Sequence, residues 1–503
     1  MNLENLLDFS NPESFATLLR IVVVVLVAAA YGLFVGAIPG LTATMAVALV
    51  IPFTFFLDPI SALAAIVTLE ATAIFAGDIP STLVRIPGTP SSAAYTDDAY
   101  ALTERGEAGR SLGVSLLFSV FGGIFGGLVL MMAAPALAKI AVLFTTYEYF
   151  WLAILGLSSA AIVARGSLMK GLFSLLLGLL ISTVGLDEVH GLARITFGVS
   201  DLAGGINFIP AMIGLFGLSE VLRNVLRPEA VHGRRQSTSE SILGAGFRLM
   251  KKRFAHMLRS SGVGTLIGIL PGAGADIAAW VSFAVSKKIS KRPEKYGKGS
   301  LEGIGDATAA NNSALAGAWV PALVFGIPGD SVTAIVIGVL IMKGLQPGPA
   351  IFEKTPEILY AVYATFILAN LFLIPLGYLA IRLGRHIVRV PRRFLLPTIV
   401  VFCVVGSYAI NNSIFDVGLM LGMGLLGFGL ERYGFPVGPV VLGIVLGPMV
   451  EKNLMFSLIK SGGHYGEFFT RPVAGVLGVV TILLWVTPLV IRLRRRGSSR
   501  ASS

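Results

Sequence analysis

The sequence predicts an all-α, polytopic membrane fold with two internal repeats, and three observations carry that prediction. Charged residues make up only 13% of the chain and apolar residues other than glycine 55%, whereas a soluble domain holds about 25% charged residues. Apolar stretches long enough to cross a bilayer recur from Leu18 to Ile491 with short polar breaks between them. Glycine (59 residues) and proline (25 residues) are abundant inside those stretches, which suits close helix contacts and broken helices in a bilayer.

In chain order, the segment 1–16 carries Glu4, Asp8 and Glu13 and lacks the basic start and cleavage site of a signal peptide. It is expected outside the cytoplasm, ahead of a first span that stays in the mature protein. Apolar segments follow near 17–35, 41–57, 60–77, 111–134, 148–164, 168–186 and 206–222, a first membrane repeat over 17–222. The stretch 223–259 is a basic linker holding Arg223, Arg227, Arg234, Arg235, Arg248, Lys251, Lys252, Arg253 and Arg259, and the positive-inside rule places it in the cytoplasm. Further apolar segments near 262–286, 310–345, 356–382, 394–410, 414–430 and 435–450 make a second repeat over 260–453. A loop and final span occupy 454–491, and a basic cytoplasmic tail 492–503. Segments interrupted by proline suit re-entrant hairpins as well as full spans.

The net charge of +11 is spread between apolar segments, not gathered in one stripe with interleaved aromatics, so it reads as a topology signal and no nucleic-acid partner is expected. Cys403 is the single cysteine, which excludes a disulfide or a cysteine metal site within the chain. No structural metal or cofactor is expected.

The duplication rests on motif spacing. Gly36-Ala37-Ile38-Pro39-Gly40 recurs as Gly268-Ile269-Leu270-Pro271-Gly272, 232 positions on. Pro80 with Ile86-Pro87-Gly88 recurs as Pro321 with Ile327-Pro328-Gly329, 241 positions on. Basic residues flank the Pro271-Gly272 segment on both sides, whereas Glu4, Asp8, Glu13 and Asp58 flank the Pro39-Gly40 segment, with Arg20 as the contrary charge. Opposite entry faces, hence inverted repeats, are the expectation.

A Pro-Gly pair inside an apolar stretch frees backbone groups that hydrocarbon cannot satisfy. Such backbone is tolerated where it is buried in protein or lines a watery cavity, with half-helix N-termini aimed at an anion. One isolated pair is better read as a packing kink; four at matched places, flanked by hydroxyls and amides, point to a ligand site. The candidate substrate residues are Pro39, Gly40, Thr42, Arg85, Pro87, Gly88, Thr89, Ser91, Ser92, Pro271, Gly272, Asn311, Asn312, Pro328, Gly329, Ser331 and Thr333. The adjacent amides Asn311 and Asn312 suit a helix clamp as well as a substrate contact. Arg85 suits a bidentate grip on a carboxylate, or an ion pair with Asp78 seven residues back if helix continues through Pro80; the ion pair is the favoured reading. Burying a charge in lipid is costly, so Asp330, Asp276, Glu70 and Asp306 are candidates for coupling to a cation, with helix N-capping as the plain alternative for the first two.

Enzyme signatures are thin. The five histidines form no His-Glu-x-x-His pair, and Gly-Ala-Gly-Ala at 272–275 lacks the lysine of a phosphate-binding loop. An intramembrane enzyme, a gradient-independent channel and a structural scaffold are the alternatives to a carrier.

Arg85-Ile86-Pro87-Gly88-Thr89-Pro90-Ser91-Ser92-Ala93, Arg105-Gly106-Glu107-Ala108-Gly109-Arg110, Leu270-Pro271-Gly272-Ala273-Gly274-Ala275, Ala310-Asn311-Asn312, Gly326-Ile327-Pro328-Gly329 and Gly344-Leu345-Gln346-Pro347-Gly348-Pro349 together resemble the large permease subunit of tripartite tricarboxylate transporters. The resemblance implies a secondary transporter of the bacterial inner membrane, driven by a gradient of Na+ or H+. It also implies a small membrane subunit and a periplasmic binding protein as partners, and small carboxylates as substrates.

Overall fold

The computed structural model describes residues 12–163, 167–187, 191–226, 242–388 and 390–500. The N-terminal segment to residue 11 with Glu4 and Asp8, the linker residues 227–241 with Arg227, Arg234 and Arg235, and the tail end 501–503 lie outside the described residues. The chain is 80% helical, the all-α fold expected, and the described strands are one small hairpin pairing Gly185–Leu186 with Ala193–Arg194.

The helices are α1 (Pro12–Gly36), α2 (Ala43–Thr54), α3 (Pro59–Ala76), α4 (Asp78–Val84), α5 (Thr96–Glu104), α6 (Ala108–Ala141), α7 (Thr146–Val163), α8 (Leu168–Ser182) and α9 (Phe208–Val225). They continue as α10 (Ile242–Lys252), α11 (Phe254–Ile269), α12 (Gly274–Ile289), α13 (Leu301–Phe325), α14 (Ser331–Met342), α15 (Pro356–Ile387), α16 (Arg392–Asn411), α17 (Ile414–Arg432), α18 (Val437–Lys460) and α19 (Pro472–Arg500). Among the described residues, eight helical stretches are long and apolar enough to cross a membrane, and four shorter apolar helices accompany them. The protein is a multi-pass membrane protein.

Local chemistry fixes the helix starts. The Asp58 carboxylate accepts from the Ser61 N–H at 3.0 Å ahead of Pro59 at the first position of α3, and the Ser300 hydroxyl accepts from the Gly303 N–H to open α13. Each cap satisfies a donor that has no partner inside its own helix. α18 runs one helical stretch beyond the apolar segment ending near 450, because Arg194 grips Glu451 through two bonds of 2.6 and 3.0 Å and so holds its polar continuation.

Two compact units divide the chain. One comprises 139–206 and 433–503. In it α8 crosses α18 at glycine: a Cβ on Gly178 would lie 2.1 Å from the Val440 carbonyl oxygen. The other unit, 1–138 with 207–432, holds every Pro-Gly break. Its most enclosed helices are α3, buried from Ser61 to Ala76, and α13, buried from Gly303 to Val324.

Each enclosed helix is crossed by a neighbour through two glycines. On α1, a Cβ at Gly32 would stand 2.8 Å from the Leu69 oxygen and one at Gly36 2.5 Å from the Ala73 oxygen. On α11, a Cβ at Gly264 would stand 2.2 Å from the Ala310 oxygen and one at Gly268 2.1 Å from the Ala314 oxygen. The glycines are 232 positions apart and their targets 241 apart, the two spacings of the sequence motifs. Gly122 and Gly126 of α6 press on Ala309 and Ser313 of α13, while Gly123 and Gly127 face Asn370 and Phe366 of α15. These are close helix contacts, the geometry small residues give inside a bilayer.

Candidate functional site

The four matched Pro-Gly pairs are helix breaks: 37–42 between α1 and α2, 85–91 after α4, 270–273 between α11 and α12, and 326–330 between α13 and α14. The second and fourth are built alike. Arg85 and Gly326, 241 positions apart, both end a helix in the left-handed region, at φ 58° and 67°. The Ile86 N–H donates to the Pro80 oxygen at 3.4 Å and the Ile327 N–H to the Pro321 oxygen at 3.2 Å. Gly88 then packs on Gly77 and Gly329 on Ala318, where a Cβ would come within 2.5 and 2.7 Å of the facing Cα.

A reciprocal cap follows each. The Thr89 N–H donates to Ser92 Oγ and the Ser92 N–H to Thr89 Oγ1, both at 3.1 Å. The Asp330 N–H donates to Thr333 Oγ1 at 2.9 Å and the Thr333 N–H to Asp330 Oδ1 at 2.8 Å. Matched geometry therefore carries a neutral pair in one place and a carboxylate in the other.

Three breaks meet. Asn311 of α13 donates through Nδ2 to Ser91 Oγ at 2.9 Å, and Ser91 shares a 2.8 Å bond with Thr89. Trp280 of α12 donates to the Pro90 oxygen at 3.2 Å, bringing the helix behind Pro271-Gly272 against the second break. A Cβ on Gly274 would lie 3.0 Å from Asp330 Cβ, which brings the third break against the fourth. Ser331 follows as the first residue of α14, on the rim of this junction. α2 and α14 start with side-chain caps from Thr42 and Asp330, whereas α12 starts without one and carries Asp276 in its first turn.

The Pro39-Gly40 break keeps other company. Asn224 of α9 donates to the Gly40 oxygen at 2.9 Å and to Glu220 Oε1 at 2.7 Å; Glu220 also pairs with Arg223, which reaches Glu431 at 2.8 Å. Asn312 points from α13 toward α6, donating to the Ser119 oxygen at 3.1 Å. It is the clamp, and Asn311, about 100° round the helix, is the amide at the breaks.

Arg85 does not pair with Asp78. α4 stops at Val84 and the left-handed turn at Arg85 swings its side chain outward, where it binds Asp97 through bonds of 3.1 and 2.8 Å at an exposed position. Asp78 is buried and accepts from Tyr95 at 2.5 Å and from Ser115. Asp306 is also buried, held by Arg259 at 2.7 Å and Ser286 at 2.6 Å. Asp276 lies in the first turn of α12, within electrostatic reach of Tyr95. Glu70 is fully enclosed on α3; Oε2 accepts from Trp319 Nε1 at 3.2 Å.

Sequence reasoning overlooked four contributors. Ser81 Oγ lies 2.9 Å from both the Gly77 oxygen and Ser92 Oγ, bracing the second break. Asp98 accepts from the Gly299 and Ser300 N–H groups at 2.8 and 2.7 Å, capping α13 from a distant helix. Trp319 and Asn224 complete the list. The usable signals were a lone tryptophan in a helix of small residues, and Glu220 with Asn224 one turn apart on an apolar helix.

Comparison with known proteins adds three findings. The sequence model of the Tripartite tricarboxylate transporter TctA family matches residues 22–442. A 52.8 kDa protein of Agrobacterium vitis, described only by its place in the TAR-I ttuC' 3' region, is 35% identical over 473 residues, 92% of each chain. A second protein of that organism, from the TAR-II ttuC' 3' region, is 37% identical over 230 residues, 45% of this chain and 95% of its own. No solved structure matches the chain.

Proposed function

The chain belongs to the tripartite tricarboxylate transporter TctA family and is therefore the large subunit of a transport system and not an enzyme; from that premise we propose that it imports small carboxylates across the bacterial inner membrane. In this reading a periplasmic binding protein delivers the substrate, a small membrane subunit completes the complex, and a gradient of Na+ or H+ drives uptake. The observation that carries it is the junction of three helix breaks. There Thr89, Ser91 and Ser92 of the second break and Asn311 of α13 supply buried hydroxyl and amide groups, and the uncapped start of α12 supplies N–H donors. An oxygen-rich anion is the ligand such a set of donors suits.

The test is reconstitution with the small subunit and a panel of carboxylates loaded on the binding protein. Accumulation against a concentration gradient when a Na+ or H+ gradient is imposed supports the reading. Equal flux with the gradient collapsed would make the protein a channel.

Inverted repeats are part of the proposal, supported by the matched breaks and crossings and by the opposite flanking charges. Phe56, in the exposed turn after α2, and Lys291, after α12, should then face opposite sides. Cysteines placed there one at a time are expected to react with a membrane-impermeant maleimide from opposite faces of oriented vesicles. Same-side labelling would rule out inversion.

A further inference from the structure

We infer that the coupling ion is a proton and that Glu70 carries it, an assignment that rests on the transporter reading above. Glu70 is 0% exposed, at the middle of the enclosed helix α3. Its Oε2 accepts from Trp319, but its Oε1 accepts no hydrogen bond from the described residues. An enclosed carboxylate with one donor and an empty oxygen is a costly anion, and protonation removes that cost. The one hydrogen-bonding partner Glu70 has among the described residues is an N–H donor, which suits a carboxyl that takes up and releases a proton.

The surroundings bias the proton further. Asp330 is the second carboxyl, within electrostatic reach of Glu70. Its Oδ1 is held by the Thr333 backbone N–H and hydroxyl, which fixes where that carboxyl sits. Two neighbouring carboxyls away from water cannot both ionise cheaply, so the pair is a place where a proton is held.

This arrangement links the two ligands. A carboxylate substrate arriving at the junction where Asp330 sits adds negative charge on the same side, so it tightens the proton on Glu70. By reciprocity the proton on Glu70 tightens the substrate. Neither covalent bond nor electron is exchanged: one proton is taken up by Glu70 on the outer side and released on the inner side with each anion. The position 241 residues on is Asn311, so one of the two matched places titrates and the other cannot.

Two measurements test the inference. In proteoliposomes containing the complex, with radiolabelled citrate and succinate as probes, an acid-outside pH gradient is expected to drive accumulation and a Na+ gradient at equal pH is not. Glu70→Gln keeps an acceptor for Trp319 and puts an amide where the matched position of the other half, Asn311, also has one. It is expected to lower pH-driven accumulation at least tenfold while labelled substrate still exchanges across the membrane. Independently of substrate, pH-difference infrared spectra of the wild type are expected to show a protonated carboxyl band that Glu70→Gln removes. Accumulation by Glu70→Gln equal to wild type, or a spectrum unchanged by the substitution, would overturn the role of Glu70. Na+-driven accumulation without a pH requirement would overturn the proton while leaving the carrier intact. Absence of both accumulation and exchange in the wild type, with the Glu70 band present, would instead sink the transporter reading.

Discussion

Gly88→Ala and Gly329→Ala are each expected to reduce carboxylate uptake to less than about a tenth of wild type without removing the protein from the membrane. The reason is backbone against backbone. The new methyl at Gly88 would lie 2.5 Å from the Gly77 Cα and 2.6 Å from its oxygen, and the one at Gly329 2.7 Å from the Ala318 Cα. No flexible side chain is available to give way, so the break itself has to open. Overpacking of this kind costs about 1–3 kcal/mol, and each 1.4 kcal/mol is about tenfold in the population of the closed arrangement. Gly262→Ala on α11 is the control, since a Cβ there meets nothing within 4 Å. It should transport normally and gain a little helix stability, about 0.5–1 kcal/mol. Full uptake by both break variants would reduce the Pro-Gly pairs to packing elements.

Asp330→Asn is expected to abolish gradient-driven accumulation, by tenfold or more, while substrate exchange persists. Asparagine caps a helix about as well as aspartate, so the reciprocal bonds with Thr333 survive and α14 keeps its start. The titratable carboxyl beside Glu70, which has no equivalent at the matched Thr89, is lost. Asp330→Ala separates the two effects: it removes cap and charge together and should cost about 1 kcal/mol of stability in addition. Equal accumulation by the asparagine variant and the wild type, with unchanged ion dependence, would confine Asp330 to capping and move attention to Asp276 and Asp306.

The four breaks were legible because proline and glycine act locally: each stops a helix wherever it stands in an apolar run. Most long helices were legible too, but the apolar segments 262–286 and 310–345 each turned out to hold two helices parted by a break, and α13 begins well before its segment. What faces what was not. Asn311 reaches Ser91 across 220 positions and Trp319 reaches Glu70 across 249, and no periodicity of a single segment encodes such meetings. Arg85 shows the failure in miniature. Seven residues place it over Asp78 on an unbroken helix, yet the left-handed turn at Arg85 ends the helix first and Tyr95 and Ser115 have already taken that carboxylate. The spacing of 241 residues could be read as a motif, but only the geometry shows that it carries a hydrogen bond, a close contact and a reciprocal cap with it.

Cys403, the single cysteine of the chain, lies on α16 with no exposed surface, its sulfur 3.0 Å from where a Cβ on Gly217 would stand. To a spectroscopist this is a blank canvas. Thiol reagents have no native target on the outside of the folded protein, so paired spin or fluorescent labels can be attached at chosen sites without first stripping the sequence. Stripping it would also touch the seam between α9 and α16, where serine in place of that thiol sets a stronger polar group against glycine and hydrocarbon. Distance changes between matched positions of the two halves, followed as ion and substrate are added, can thus be recorded on the unaltered background.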